Sequence, residues 1–358
     1  MLKTYTSVSR YIQGPNAIDQ LGVHSLNWGT SPLIITDEVM KEILGDRLNA
    51  CFNKAGAAFN LITFPGEVTR STIDTLAKQA KQQNTDVVIG LGGGKALDTA
   101  KGVALALGSN MISVPTIAAT DAPASFAIAV YDDNHFLSEV LKMPRNPDLL
   151  LVDTQVICNA PVRFLVAGIG DAISKKFEAE ACTKAGADML MGGPSTYTGR
   201  ALADACYTLI RNHALAAVDA VKAKQPNEDL EALIEATVLL STLAFENGGL
   251  SVSHAIAKGL PMVERAAGSL HGEHVAYGLL VQLILEQRDT AYIQELIAFY
   301  REISLPYKLA HLGIVDASKT EIQTIADNAM TSPSLKRFHL ELNTEHVQRA
   351  ILDVEALS

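Results

Sequence analysis

Apolar residues along the first 160 positions fall into two alternating patterns. Short apolar, β-type runs at 33–36, 59–64, 86–91, 111–115 and 149–152 have the length of buried strands. Between them, 38–57, 71–83 and 95–107 carry apolar residues every three or four positions, as one face of a helix does. Strand, helix, strand in repetition predicts a parallel sheet with helices on both faces. Near Pro161 the texture changes to Ala-, Leu-, Glu- and Lys-rich stretches with helical spacing, at 171–185, 198–223, 228–246, 273–287, 291–303 and 318–330. Gly192-Gly193-Pro194 and Gln225-Pro226-Asn227 interrupt them. The expectation is an α/β domain over 1–160 followed by an all-helical domain over 161–358.

Composition narrows the class. A chain of 358 residues, 48% hydrophobic and 19% charged, can bury a large core and exceeds the usual size of a single one. A formal net charge of −10, with no basic stripe, argues against a nucleic-acid partner. No apolar stretch reaches membrane-spanning length, and Met1-Leu2-Lys3-Thr4-Tyr5 lacks a signal-peptide pattern. Cys51, Cys158, Cys182 and Cys206 are scattered, as thiols of a reducing compartment are. A cytoplasmic enzyme is expected.

One strand–helix junction carries chemistry. The apolar run 86–91 ends in Gly92-Gly93-Gly94-Lys95, and a helical pattern starts at once. Such a turn brings bare N–H groups, at the positive end of a helix, against a phosphate. Lys95 adds a mobile positive charge. Ala96 follows Lys95 where a P-loop needs Ser or Thr, and the glycines do not continue as G-x-G-x-x-G. The pattern indicates a phosphate without saying which, and a merely tight turn is the competing reading.

Three further residues form a constellation. His254 follows Gly248-Gly249-Leu250, His271 precedes Gly272, and Asp171 follows Gly168-Ile169-Gly170 at an expected helix start. Two imidazoles and a carboxylate are the ligand set of an open catalytic metal site. Asp171 as a plain N-cap and the histidines as hydrogen-bonded structural residues are the competing readings. His274 rivals His271.

Gly92-Gly93-Gly94-Lys95-Ala96-Leu97-Asp98-Thr99-Ala100-Lys101, Val114-Pro115-Thr116-Ile117-Ala118-Ala119-Thr120-Asp121-Ala122-Pro123, Ala167-Gly168-Ile169-Gly170-Asp171-Ala172, and His271-Gly272-Glu273 with Val275-Ala276-Tyr277-Gly278 occur in that order. Together they strongly resemble glycerol dehydrogenases, within the metal-dependent, iron-containing alcohol dehydrogenase superfamily that shares its fold with dehydroquinate synthase. The resemblance covers nearly the whole chain. It implies a dehydroquinate synthase-like fold, with a Rossmann-like NAD-binding domain ahead of a helical, metal-binding catalytic domain.

Site roles follow from the resemblance position by position. Gly92, Gly93, Gly94 and Lys95 match the NAD pyrophosphate site. Asp37 matches the acid on the adenine ribose, which favours NAD over NADP. Thr116, Ser125, Ala127 and Tyr131 match the diphosphate and nicotinamide side, and Asp121 the substrate side. Asp171, His254 and His271 match the ligands of one divalent metal, Zn by preference and Fe as the alternative; this choice prefers His271 to His274. The implied reaction oxidises glycerol or a related vicinal diol to the hydroxyketone: the metal lowers the pKa of the substrate hydroxyl and a hydride passes to NAD⁺. Asp121, Asp171, His254 and His271 make up the implied catalytic group. The implied assembly is a homo-oligomer, dimer to octamer, with no nucleic-acid or membrane partner.

Two departures affect the substrate. Ala257 stands where many relatives carry a second histidine, and Lys175 sits one helical turn beyond Asp171, followed by Lys176 where an aromatic residue is common. The preferred reading of Lys175 is a solvated or salt-bridged residue; the competing one is a cation beside the metal, which would suit a carboxylate or phosphate. The alternative substrates are therefore a hydroxycarboxylate, 1,2-propanediol or another hydroxyketone. A lyase of the dehydroquinate synthase kind is disfavoured, because no dense basic phosphate-binding set accompanies the metal residues.

Overall fold

The computed structural model describes residues 2–132, 135 and 137–357. By its contacts the chain divides into two units, one of Thr6–Val162 with Asp219–Leu239, the other of Met1–Tyr5, Arg163–Val218 and Leu240–Ser358. The division is thus not a single cut at residue 160. The segment Asp219–Leu239 returns to the first unit, where Glu231 accepts hydrogen bonds from Gln13 and Thr154.

The first unit is built on β1 (Arg10–Gly14), β2 (Pro32–Thr36), β3 (Asn60–Thr63), β4 (Val87–Gly92), β5 (Asn110–Pro115) and β8 (Leu149–Asp153). They form one parallel sheet in the order β1-β8-β5-β4-β2-β3. Strands β2, β4 and β8 are buried along their whole length, as strands covered on both faces must be. Ile34, Ile89, Ile112, Leu149 and Leu151 pack with Leu44, Leu48 and Phe52 in one core, each buried side chain contributing roughly 1.5–3 kcal/mol. Edge strand β1 and the antiparallel pair β6 (Ala127–Tyr131) and β7 (Leu137–Lys142) lack this continuous apolar signature. They are additions to the expected elements.

Chain order sets the location of a crevice. From β2 the chain steps outward to β3, then returns past β2 to β4 and continues the other way to β5 and β8. Strand order therefore reverses between β2 and β4. In open α/β sheets ligands bind beyond the carboxyl ends of the strands at such a point.

The second unit is helical, as expected, with different breaks. Helix Val162–Ile173 already contains Gly168, Gly170 and Asp171, so Asp171 is neither an N-cap nor at a helix start. Glycines weaken an isolated helix by about 1 kcal/mol each, but here Gly170 lies on a face against which another helix packs, a Cβ on it meeting the Gly272 carbonyl oxygen at 2.4 Å. A single break at Ser174, whose backbone stays right-handed, separates this helix from Lys175–Ala185. The predicted helix over 228–246 is instead Glu228–Ile234, a π-type stretch Glu235–Leu240 and Ser241–Gly248. Among the described residues no helix is long and apolar enough to cross a membrane.

Candidate active site

The glycine turn lies at the sheet's reversal point. Gly92 closes β4 with φ +146°, a conformation that side chains resist, and a Cβ there would sit 2.8 Å from Ala96 Cβ and 3.3 Å from Asp37 Oδ2. Gly93 is the N-cap of helix Gly94–Leu107, with no side chain capping its first turn. A glycine N-cap offers no side chain to the first-turn N–H groups, as a diphosphate seat requires. Asp37 follows β2 directly; its Oδ1 accepts from Met40 N at 2.8 Å, capping helix Glu38–Lys54. That bond fixes the carboxylate next to the glycine turn. A space only glycine can leave open, a bare helix start and an adjacent carboxylate fit a dinucleotide.

The remaining cofactor-side candidates sit on the segment after β5. Thr116 is buried and its N–H donates to Gly92 O at 3.1 Å. Ser125 is buried, and its Oγ accepts from Ala127 N at 2.9 Å. The fully buried Lys101 donates to the carbonyl oxygens of Ala122 (2.9 Å), Ser125 (3.2 Å) and Ala127 (2.7 Å), and pairs with Asp98 at 2.7 Å. This clamp, which sequence reading missed, fixes the segment that also carries the half-buried Asp121. The signal for it lies in the spacing Asp98-x-x-Lys101 on a helix whose exposed face is small. Tyr131 ends β6, and burial raises its hydroxyl pKa to about 12. Lys95 is drawn to Glu67, 2.8 Å away, and lies over the Tyr131 ring.

In the second unit, Asp171, His254 and His271 offer donor atoms that all lie within 4.8 Å of one another. Gly272 permits this: a Cβ on it would overlap the Ala167 carbonyl oxygen, and one on Gly170 would overlap the Gly272 carbonyl. The helices Val162–Ile173 and His271–Leu285 therefore touch backbone to backbone, which sets Asp171 beside His271 at the first position of its helix. Leu270 N–H donates to Glu273 Oε2 at 2.7 Å, and Arg163 grips the same carboxylate at 2.7 and 2.8 Å, fixing that helix start.

Glu178, absent from the sequence-based set, completes the arrangement. It is fully buried, and its carboxylate lies 2.7 Å from His254 Nδ1 and accepts from Ser251 N at 2.7 Å and Ser174 Oγ at 3.1 Å. A carboxylate only accepts, so Nδ1 carries the proton and Nε2 is turned to Asp171, 3.4 Å away. Asp171, Lys175 and Glu178 stand at i, i+4 and i+7, the spacing that could have revealed them as one face. Burial tends to raise the Asp171 pKa, but Lys175, His254 and His271 outweigh it and hold the carboxyl well below the usual range. Burial tends to lower the His254 pKa, but Glu178 and Asp171 overcome that effect and Lys175's repulsion, bringing it to about 9. An anionic cage results. The ammonium of Lys175, 2.5 Å from Asp171 Oδ1, is a stand-in showing that it accepts a cation. We expect Glu178→Gln to weaken divalent-metal affinity by roughly 10- to 100-fold, measured by chelator competition.

His274 has a different environment. Its ring is buried, with Nε2 3.1 Å from Ala266 O, and burial followed by the charge of His271 lowers its pKa to about 4. The unfolded ring titrates near 6.5, so on acidification the unfolded chain gains this proton first. Stability from the neutral ring is complete above that value and is lost as the pH falls toward the folded value. His274→Gln, which keeps an N–H for Ala266, should remove about 3 kcal/mol of the stability lost between pH 7 and pH 4. Urea unfolding at the two pH values checks this. Ala257, buried one turn beyond His254, offers no donor, and Lys176 pairs with Asp204 and Glu180 rather than joining the cage.

A switch-point cradle and a carboxylate–imidazole cation cage on one chain define the class of a dehydrogenase with a bound metal. The sequence pattern of the family "Iron-containing alcohol dehydrogenase" matches residues 8–154. Over 329 residues the chain is 37% identical to a glycolaldehyde reductase of Halobacterium salinarum, across 92% of this chain and 90% of that one. Over 330 residues it is 39% identical to a glycerol dehydrogenase of Thermotoga maritima, again across 92% and 90%. The crystal structure of glycerol dehydrogenase from Schizosaccharomyces pombe superposes with a TM-score of 0.95 at 32% identity, covering 99% of this chain and 91% of that chain. The chain belongs to the glycerol dehydrogenase family of iron-containing alcohol dehydrogenases, and is an oxidoreductase of dehydrogenase type.

Proposed function

We propose that this enzyme oxidises glycerol or a related vicinal diol to the hydroxyketone with NAD⁺, in the cytoplasm and as a homo-oligomer. Residues 1–160 mainly serve NAD and 161–358 the metal and the reaction. The observation that carries the reading is the Asp171–His254–His271 cage backed by Glu178, in a chain at 39% identity to a glycerol dehydrogenase. Two imidazoles and one carboxylate suit Zn²⁺ first and Fe²⁺ second. Asp171, His254 and His271 would hold the divalent cation, which would supply acidification of the substrate hydroxyl.

The protein's own residues supply position and charge. Asp171 provides the anionic ligand, and Glu178 orients His254 so that Nε2 points into the cage. Gly92, Gly93 and Gly94 expose backbone N–H groups for the dinucleotide phosphates, and Asp37 accepts from its ribose hydroxyls. Thr116, Ser125, Ala127 and Tyr131 line the rest of the cofactor, with Lys95 at its edge. Asp121 accepts from the neighbouring hydroxyl of the diol, which favours a substrate with oxygen on adjacent carbons. Glycerol and glycolaldehyde share that unit, so reduction of a hydroxyaldehyde is the same chemistry reversed.

NADH absorbance should be followed with glycerol, 1,2-propanediol, dihydroxyacetone, glycolaldehyde and 2-oxoacids, before and after chelation. Turnover with the diols and hydroxycarbonyls, abolished by chelation and restored by Zn²⁺ or Fe²⁺, is expected. Full activity in verified metal-free enzyme, or turnover confined to 2-oxoacids, would sink the proposal.

A further inference from the structure

Lys175 is wholly buried, and its ammonium touches two of the three residues of the donor set. Nζ is 2.5 Å from Asp171 Oδ1 and 3.2 Å from His254 Nε2, and Phe245 closes one side with its ring centroid 5.9 Å away. Those oxygen and nitrogen atoms, 3.4 Å apart, are two of the three donors a divalent cation needs. We infer that Lys175 is a built-in competitor for the metal: its ammonium holds the ligands in the metal-free protein, and a divalent ion binds only by displacing it.

The physical basis is exclusion. Two cations within hydrogen-bond distance of one buried carboxylate repel strongly where water cannot screen them. The ammonium and the metal therefore alternate at Asp171. Observed metal affinity equals the intrinsic affinity multiplied by the fraction of molecules in which the ammonium has left. If the occupied arrangement is favoured about 10- to 100-fold, affinity falls by the same factor. The same pair keeps the empty cage folded, because it leaves no uncompensated buried carboxylate at Asp171. The chain thus exchanges tight metal retention for a stable metal-free form, and its activity should follow the free metal concentration.

This inference rests on Asp171, His254 and His271 being the metal centre, but it concerns occupancy rather than turnover. The test compares wild type, Lys175→Met and Lys175→Gln, each stripped of metal, by Zn²⁺ titration calorimetry against a competing chelator. Thermal unfolding with and without Zn²⁺ accompanies it. Both variants should bind one Zn²⁺ roughly 10- to 100-fold more tightly than wild type. Their metal-free forms should melt lower, so Zn²⁺ should raise Tm more than in wild type. Unchanged or weaker Zn²⁺ affinity in a variant that keeps its helical circular dichroism and one-site stoichiometry overturns the inference alone. Absence of Zn²⁺ and Fe²⁺ binding in all three proteins overturns the metal-centre reading, and the inference with it.

Discussion

Asp171→Asn should leave a folded protein that neither holds a divalent metal nor turns over substrate. The substitution conserves shape but removes the only anionic donor of the three. An amide oxygen is a much weaker ligand beside two neutral imidazoles, and the metal's activation of the substrate hydroxyl goes with it. We expect activity to fall at least ~10³-fold, on the scale of losing a major electrostatic element of a site. A second loss accompanies it. The Lys175 ammonium, fully buried and 2.5 Å from Asp171 Oδ1, would lose its counter-charge. Breaking one side of a buried pair costs roughly 3–5 kcal/mol. Metal content by elemental analysis and denaturant unfolding of the stripped protein measure the two losses separately. The double variant Asp171→Asn/Lys175→Met should recover most of the stability and none of the activity, because it removes the stranded charge without restoring a ligand. A single variant that retains metal and turnover would show that Asp171 serves only as a partner for Lys175.

Legibility of the molecule in its sequence followed the range of the interactions. Strands β2, β4 and β8 were visible because burial on both faces leaves an uninterrupted apolar run. Edge strand β1 and the β6–β7 pair were not, because half-exposed strands mix polar and apolar residues in too few positions to count. The helix around Asp171 was placed too late in the chain for a related reason. Gly168 and Gly170 read locally as breakers, whereas Gly170 makes room for a helix that starts a hundred residues later. Asp171, His254 and His271 each stood out beside small residues, but only the fold shows that their donors meet. Glu178 and Lys101 were invisible as functional groups, since a buried charge is recognised by what surrounds it. For Glu178 that is His254 and Ser251; for Lys101 it is three carbonyl oxygens and Asp98.

Gly272→Ala adds one carbon and should disable the same site without touching a ligand. The new Cβ would fall on the Ala167 carbonyl oxygen, which belongs to the backbone of helix Val162–Ile173 and cannot rotate away. Helix His271–Leu285 must therefore retreat, and its first residue, His271, retreats with it. Overpacking of this kind costs about 1–3 kcal/mol in stability. The larger effect is geometric: a displacement of about 1 Å in a reacting constellation lowers the rate roughly 10²-fold. Metal affinity should fall in parallel, because three donors within 4.8 Å tolerate little spreading. Gly268→Ala is the control, since a Cβ there meets nothing within 4 Å, and it should leave Tm, metal content and kcat unchanged. If Gly272→Ala keeps full metal content and kcat while losing stability, the crossing supports the fold but does not set the geometry of the cage.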